Sequence, residues 1–170
     1  MFFGVSALQT IHVLISLVAI AAGLWVLGGL FASRRMNTAT GVFLVTTLVT
    51  SLSGFLLPIK GFTPAVGTGI VALVVLVPAF WARYGARMQG RWRGIYVVTA
   101  VISLYLNVFV LVAQLFLKVP AVKALAPTGT EPAFLIAQAA TLTLFVIAGV
   151  LAWKRFRPAT AAVQVGPAFA

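Results

Sequence analysis

The sequence predicts an all-α polytopic membrane protein, one bundle of five transmembrane helices with its N-terminus outside and its C-terminus in the cytoplasm. Three observations predict this fold class. Hydrophobic residues make up 62% of the 170 residues, whereas a soluble domain is roughly half apolar. Five apolar stretches are each close to the roughly 20 residues that a helix needs to cross a bilayer. Most of the basic residues fall between these stretches on one side.

The five predicted spans cover residues 7–32, 39–59, 64–82, 94–117 and 132–153. The first is too long for the apolar region of a signal peptide and no basic residue precedes it, so we interpret it as a retained span. Pro58 should end the second span, and Pro64 suits the first turn of the third because proline has no N–H to leave unpaired. We expect residues 1–157 to form a single membrane domain and residues 158–170 to form a flexible cytoplasmic tail. A short interfacial helix is expected within residues 119–125.

The basic residues determine the predicted orientation. Two follow the first span, four lie between the third and fourth, and three follow the fifth: Arg34, Arg35, Arg83, Arg87, Arg91, Arg93, Lys154, Arg155 and Arg157. Only Lys60, Lys118 and Lys123 lie on the other side. Basic residues in short loops are retained in the cytoplasm. We therefore expect the nine to contact the anionic lipids of the cytoplasmic face, and we expect no nucleic-acid binding.

The chain is poor in the residue types that chemistry requires. It has no Cys, a single His (His12) and a single acidic residue (Glu131). These cannot make a pair of catalytic carboxylates, a zinc site with three protein ligands, or both axial ligands of a b-type haem. The sequence therefore predicts no self-contained catalysis, no metal site and no resident cofactor. The alternative is a haem, quinone or pigment held near His12.

Polar residues inside the predicted spans are the remaining functional signal. At 100° per residue, the polar residues of the fourth span form one stripe about 80° wide that covers nearly the whole hydrocarbon thickness. The other spans repeat this pattern more weakly, for example Thr46, Thr50 and Ser53 on the second, and the third has only Thr68. The candidate ligand-binding or pore-lining residues are His12, Ser16, Ser53, Tyr96, Ser103, Asn107, Gln114, Glu131 and Gln138.

These polar residues allow two interpretations. They form either an outward-facing polar pocket, in which His12 pairs with Glu131, or hydrogen bonds that hold the helices together. Spans one, two, four and five would turn polar faces toward a common interior, and span three would lie more peripherally or contact a partner. Small residues four positions apart, such as Ala19 and Gly23, predict close helix approach.

Three functions follow from these interpretations. The first is an accessory or interaction subunit that acts in a homo-oligomer or a larger membrane complex. The second is a small channel or permease for a polar solute, lined by the stripe of the fourth span. The third is a protein that binds a quinone, haem or pigment near His12.

Four segments resemble small uncharacterised multispanning proteins of the bacterial inner membrane. They are LYLNVFVLVAQLF at 104–116, KVPAVKALAPTGTEPAF at 118–134, GFLLP at 54–58 and GRWRGIYV at 90–97. The resemblance covers about half of the chain. It implies a bacterial inner membrane and brings with it no activity and no site residues.

Overall fold

The computed structural model describes residues 7–57 and 64–157, and within these ranges the regular structure is entirely helical. The predicted all-α fold class is therefore confirmed. A π-helical turn, Trp81–Gly85, continues the third helix. The turn around Lys60 and the tail at 158–170 lie outside the described residues. The α-helices are α1 (Ala7–Phe31), α2 (Asn37–Gly54), α3 (Pro64–Phe80), α4 (Trp92–Lys118), α5 (Pro120–Lys123) and α6 (Pro132–Arg155).

Four of the described helices are long and apolar enough to cross a membrane. They are α1, α3 with its π-helical turn, α4 and α6. The helix at the second predicted span, α2, is not one of them. It has 18 residues and it ends earlier than predicted, because N–H groups after Gly54 bond three residues back, Phe55 to Leu52 and Leu56 to Ser53. Such tight bonds are typical of a terminating turn. The predicted short interfacial helix corresponds to α5.

Helix α4 lies at the centre of the bundle. It contacts all five other helices, and α1 packs against α2, α2 against α3, and α6 against both α4 and α1. The core that these contacts bury includes Phe43, Leu76, Val97 and Leu104. Helix α3 does not contact α1 or α6. Span three was predicted to be the peripheral one, but the most peripheral of the four long apolar helices is α6. In the most apolar 18-residue stretch of each helix, no residue of α6 is buried, whereas 22% of the residues of α3 are.

The outer surface of the bundle is apolar. Trp25 is 68% exposed, Leu56 70%, Val77 70% and Ile136 67%. Soluble monomers rarely expose contiguous apolar patches larger than a few hundred Å². A surface of this kind suits contact with lipid.

The predicted close approach of helices is found at Gly23. A Cβ built there would lie 2.6 Å from Leu104 Cδ1 on α4 and 2.8 Å from Phe43 Cε2 on α2. Real Cβ atoms do not approach other heavy atoms so closely. Helices α1, α2 and α4 can therefore pack this closely only because Gly23 has no side chain. At Gly28, one turn further on, a Cβ would meet nothing within 4 Å.

Candidate functional site

The candidate site is a series of polar contacts along the interior faces of α1, α2, α4 and α6. At one end, Tyr96 on α4 and Thr40 on α2 share a hydrogen bond of 3.1 Å between their hydroxyl groups. Both residues are about 2% exposed. A buried phenol needs a partner for its O–H, and Thr40 is that partner.

The middle of the bundle has two further polar bridges. The Asn107 Nδ2 of α4 donates to the Thr47 Oγ1 of α2 at 3.0 Å. The Gln138 Nε2 of α6 donates to the Phe109 carbonyl of α4 at 3.2 Å. Amides of this kind bridge membrane helices because few other partners exist in hydrocarbon.

At the opposite end, His12 on α1 is bonded to Ser53 on α2, with 2.8 Å between Nδ1 and Oγ. The Ser53 hydroxyl also donates to the Thr50 carbonyl at 3.2 Å. The direction of the bond between Ser53 and His12 follows the tautomer of the imidazole: Nδ1 donates when it carries the proton and accepts when Nε2 carries it. The contact ties the start of α1 to the end of α2.

Glu131 belongs to a loop at the surface. Its carboxylate accepts hydrogen bonds from the Thr128 N–H at 2.8 Å, the Thr128 hydroxyl at 2.9 Å and the Thr130 N–H at 3.0 Å. These bonds, the Thr128 N–H first, lower the pKa of Glu131 from 4.5 to about 2. The carboxylate closes the turn before α6, so His12 and Glu131 each have a different partner and do not form the expected pair.

The other candidate residues are less connected between helices. Ser16 donates to the Val13 carbonyl of its own helix at 2.7 Å. Gln114 is partly exposed, and no hydrogen bond joins its side chain to another described residue. Three buried polar atoms lack a partner within the described residues: Ser103 Oγ, Thr50 Oγ1 and Gln138 Oε1.

Two of these bridges are made by Thr40 and Thr47, which were not among the residues predicted from the sequence. Thr40, Thr47 and Ser51 are buried on one face of α2, and at 100° per residue they fall within about 40° of one another. The same helix carries a second polar arc at Thr46, roughly 120° away. Both arcs have the same period, and only packing against the neighbouring helices, chiefly α1 and α3, determines how each arc is oriented.

The predicted basic segments meet at one end of the bundle, which we call the basic end. Arg93 donates to the carbonyl groups of Trp153 and Phe156 at the end of α6. The Arg157 N–H donates to Ser33 Oγ at 2.8 Å, and Arg83 donates to Asn37 Oδ1 at the start of α2. Contacts of the basic residues themselves therefore join the end of α1, the start of α2, the π-helical turn, the start of α4 and the end of α6.

Chemically, this arrangement can hold helices together and bind anions at one end. The described residues contain no group of three or more His, Cys, Asp or Glu side chains that could hold a metal ion. Comparison with known proteins finds no matching family model, curated protein or solved structure.

Proposed function

We propose that this chain is a five-span protein of the bacterial inner membrane that serves as an accessory or interaction subunit and carries no catalytic chemistry of its own. The observation that carries this proposal is the pairwise bonding of the interior polar groups. Tyr96, Asn107, Gln138 and His12 each use a polar atom to bridge two helices. These hydrogen bonds hold neighbouring helices together.

The distribution of residues around α2 supports a fifth span. Beyond the exposed Asn37 and Thr38 of its first turn, its exposed residues are apolar: Val42, Val45, Val49 and Leu52. Its polar residues Thr40, Thr47 and Ser51 face inward. A helix in water would show the reverse pattern. Its 18 residues extend about 27 Å at 1.5 Å per residue, close to the roughly 30 Å of hydrocarbon.

The basic end supports the orientation. Nine of the twelve basic residues lie there, and short basic loops are retained in the cytoplasm. In the proposed orientation, the end of α6 lies inside and the start of α1 lies outside. The resemblance of four segments to inner-membrane proteins supports the same membrane.

A photo-crosslinking experiment tests the accessory role. Crosslinking residues replace Leu144 on α6, which is 66% exposed, and Val77 on α3, which is 70% exposed. We expect one of these two positions to give a discrete crosslinked adduct in native membranes. We also expect the particle mass of the protein purified in mild detergent to exceed that of one 17.9 kDa monomer with its bound detergent. A monomer in mild detergent that gives no adduct from either position would refute the role.

A small channel is the second candidate, and the unpartnered buried atoms favour it. Ser103 Oγ, Thr50 Oγ1 and Gln138 Oε1 have no hydrogen-bond partner in the part of the chain that the structure describes. Such atoms are ordinarily satisfied by water in a polar interior. Flux of water or a small polar solute into liposomes containing the purified protein, abolished by Ser103→Val, would favour the channel over the accessory subunit.

A further inference from the structure

A small cleft at the basic end is lined by arginines from two separate segments. Arg34 and Arg35 come from the end of α1, and Arg83 comes from the π-helical turn. Tyr96 and Phe156 also line it. The free volume is about 10 Å³, room for no more than about one water molecule. A larger anion would therefore bind at the mouth of the cleft, within reach of the long arginine side chains.

The turn after α1 positions two of these arginines. Ser33 adopts a left-handed conformation with φ of 55°, and the Arg34 N–H bonds to the Gly29 carbonyl at 2.8 Å. This pattern ends a helix by turning the chain back across its last turn. It brings the exposed side chains of Arg34 and Arg35 to the cleft.

No acidic side chain of the described residues lies near the cleft. The sole acidic side chain of the sequence, Glu131, precedes α6, whereas the basic end lies at the far end of that 24-residue helix, about 36 Å away at 1.5 Å per residue. No hydrogen bond joins the guanidinium groups of Arg34 and Arg35 to other described residues. Their donors are therefore free to bind an anion from outside the chain.

An open apolar groove adjoins the cleft. It measures about 450 Å³ and is lined by Ala22, Trp25, Ala39 and Val42 together with the start of α2. Met36 lines both cavities, and Asn37 of the groove accepts a hydrogen bond from Arg83 of the cleft.

We infer that the cleft and the groove together bind one anionic phospholipid, with its phosphate at the mouth of the arginine cleft and an acyl chain along the groove. Arginine forks match the geometry of phosphate oxygens, and basic pockets between membrane helices bind anionic headgroups. A free phosphate would use the cleft alone and leave the groove empty. The inference rests on the proposed membrane location and is independent of the accessory role.

Lipid binding to the full-length protein in neutral detergent tests this site. The probes are phosphatidylglycerol, phosphatidylcholine and inorganic phosphate, and bound lipid is counted by native mass spectrometry. The test variant combines Arg34→Gln and Arg35→Gln. The matched control combines Lys154→Gln and Arg155→Gln, which removes the same charge from the same end of the bundle, at two exposed residues that do not line the cleft.

We expect the wild type and the control variant to retain one phosphatidylglycerol in preference to phosphatidylcholine. The test variant should bind it at least about tenfold more weakly, which corresponds to the loss of one charge-assisted hydrogen bond to the phosphate. Equal weakening in both variants would overturn the site in favour of general charge attraction. Displacement of the lipid by millimolar inorganic phosphate would overturn it in favour of a free anion.

A second substitution tests the groove. Ala39→Trp fills the groove without changing charge, and we expect it to weaken phosphatidylglycerol binding while inorganic phosphate still has no effect. Unchanged lipid binding would overturn the placement of the acyl chain. Alkaline extraction of membranes, done first, distinguishes failure of the two proposals. Release of the chain from the membranes would refute the proposed function. A chain that stays in the membrane but shows no lipid preference would refute the lipid site alone.

Discussion

At the scale of single residues, the polar side chains of the described helices divide between those that bond to their own helix, such as Thr99 and Thr141, and those that bridge two helices, such as Asn107. Asn107 and Thr47 illustrate why bridges form. An amide that faces hydrocarbon has no water to bond, so a hydroxyl on the facing helix is its natural partner. Bridges of this kind between membrane helices contribute about 0.6 kcal/mol on average. Several weak bridges from one helix to its neighbours determine the register of a bundle more than its total stability.

A double-mutant cycle on Asn107→Ala and Thr47→Ala measures one bridge. We expect a coupling free energy of about 0.6 kcal/mol, with an upper limit of about 1.7, because removal of either partner already breaks the bond. The measurement is the free energy of unfolding of the purified protein in mixed micelles. Thr143→Ala is the control partner, since Thr143 bonds to its own helix at Ala139. Additive effects in the first cycle would show that the bridge contributes nothing.

The carboxyl group of Glu131 should titrate far below its ordinary value. Its lowered pKa of about 2 means that the ionised form stabilises the loop above pH 4.5, and that this contribution is lost as the pH falls toward 2. Carboxyl NMR of the protein labelled at glutamate reports the midpoint directly, because the sequence has a single acidic side chain. A midpoint near 4.5 would contradict the bonds to Thr128 and Thr130. Lys123→Gln, at the exposed end of α5, should leave the midpoint unchanged.

At the scale of the elements, apolar length was enough to predict where the helices occur, because each long run must bury its backbone polar groups within itself. The ends were less predictable. Helix α2 ends at Gly54 because its last turn tightens, a choice that hydropathy does not encode. Its inward face was also not predictable, since the arcs at Thr40 and Thr46 have the same period.

The crossing of α1 with α2 and α4 depends on Gly23. Gly23→Ala should destabilise the protein by about 1–3 kcal/mol, because the new methyl group would overlap Leu104 and Phe43 and force the helices apart. Gly28→Ala is the matched control. That position is open, so alanine there should be neutral or stabilise the helix by up to about 1 kcal/mol. Thermal unfolding in detergent compares the two, and equal stability of both variants would contradict the close crossing.

At the scale of the whole molecule, the strong asymmetry of charge was visible in the sequence, and the structure adds how it is built. The guanidinium groups of Arg93 and Arg83 donate to oxygen atoms of neighbouring segments, whereas those of Arg34 and Arg35 lie beside a cleft and bond to no other described residue. Sequence spacing could place all of them at one end but could not separate structural arginines from free ones. That distinction depends on which loops pack together.

The orientation and the fifth span are tested together by labelling single cysteines from outside the cell. The chain has no native cysteine, so Arg35→Cys, Lys60→Cys, Lys123→Cys and Arg155→Cys need no altered background. With a membrane-impermeant maleimide on intact spheroplasts, we expect positions 60 and 123 to react and positions 35 and 155 to react only after permeabilisation. Reaction of positions 35 and 60 from the same side would contradict a membrane-spanning α2, and with it the five-span protein proposed here.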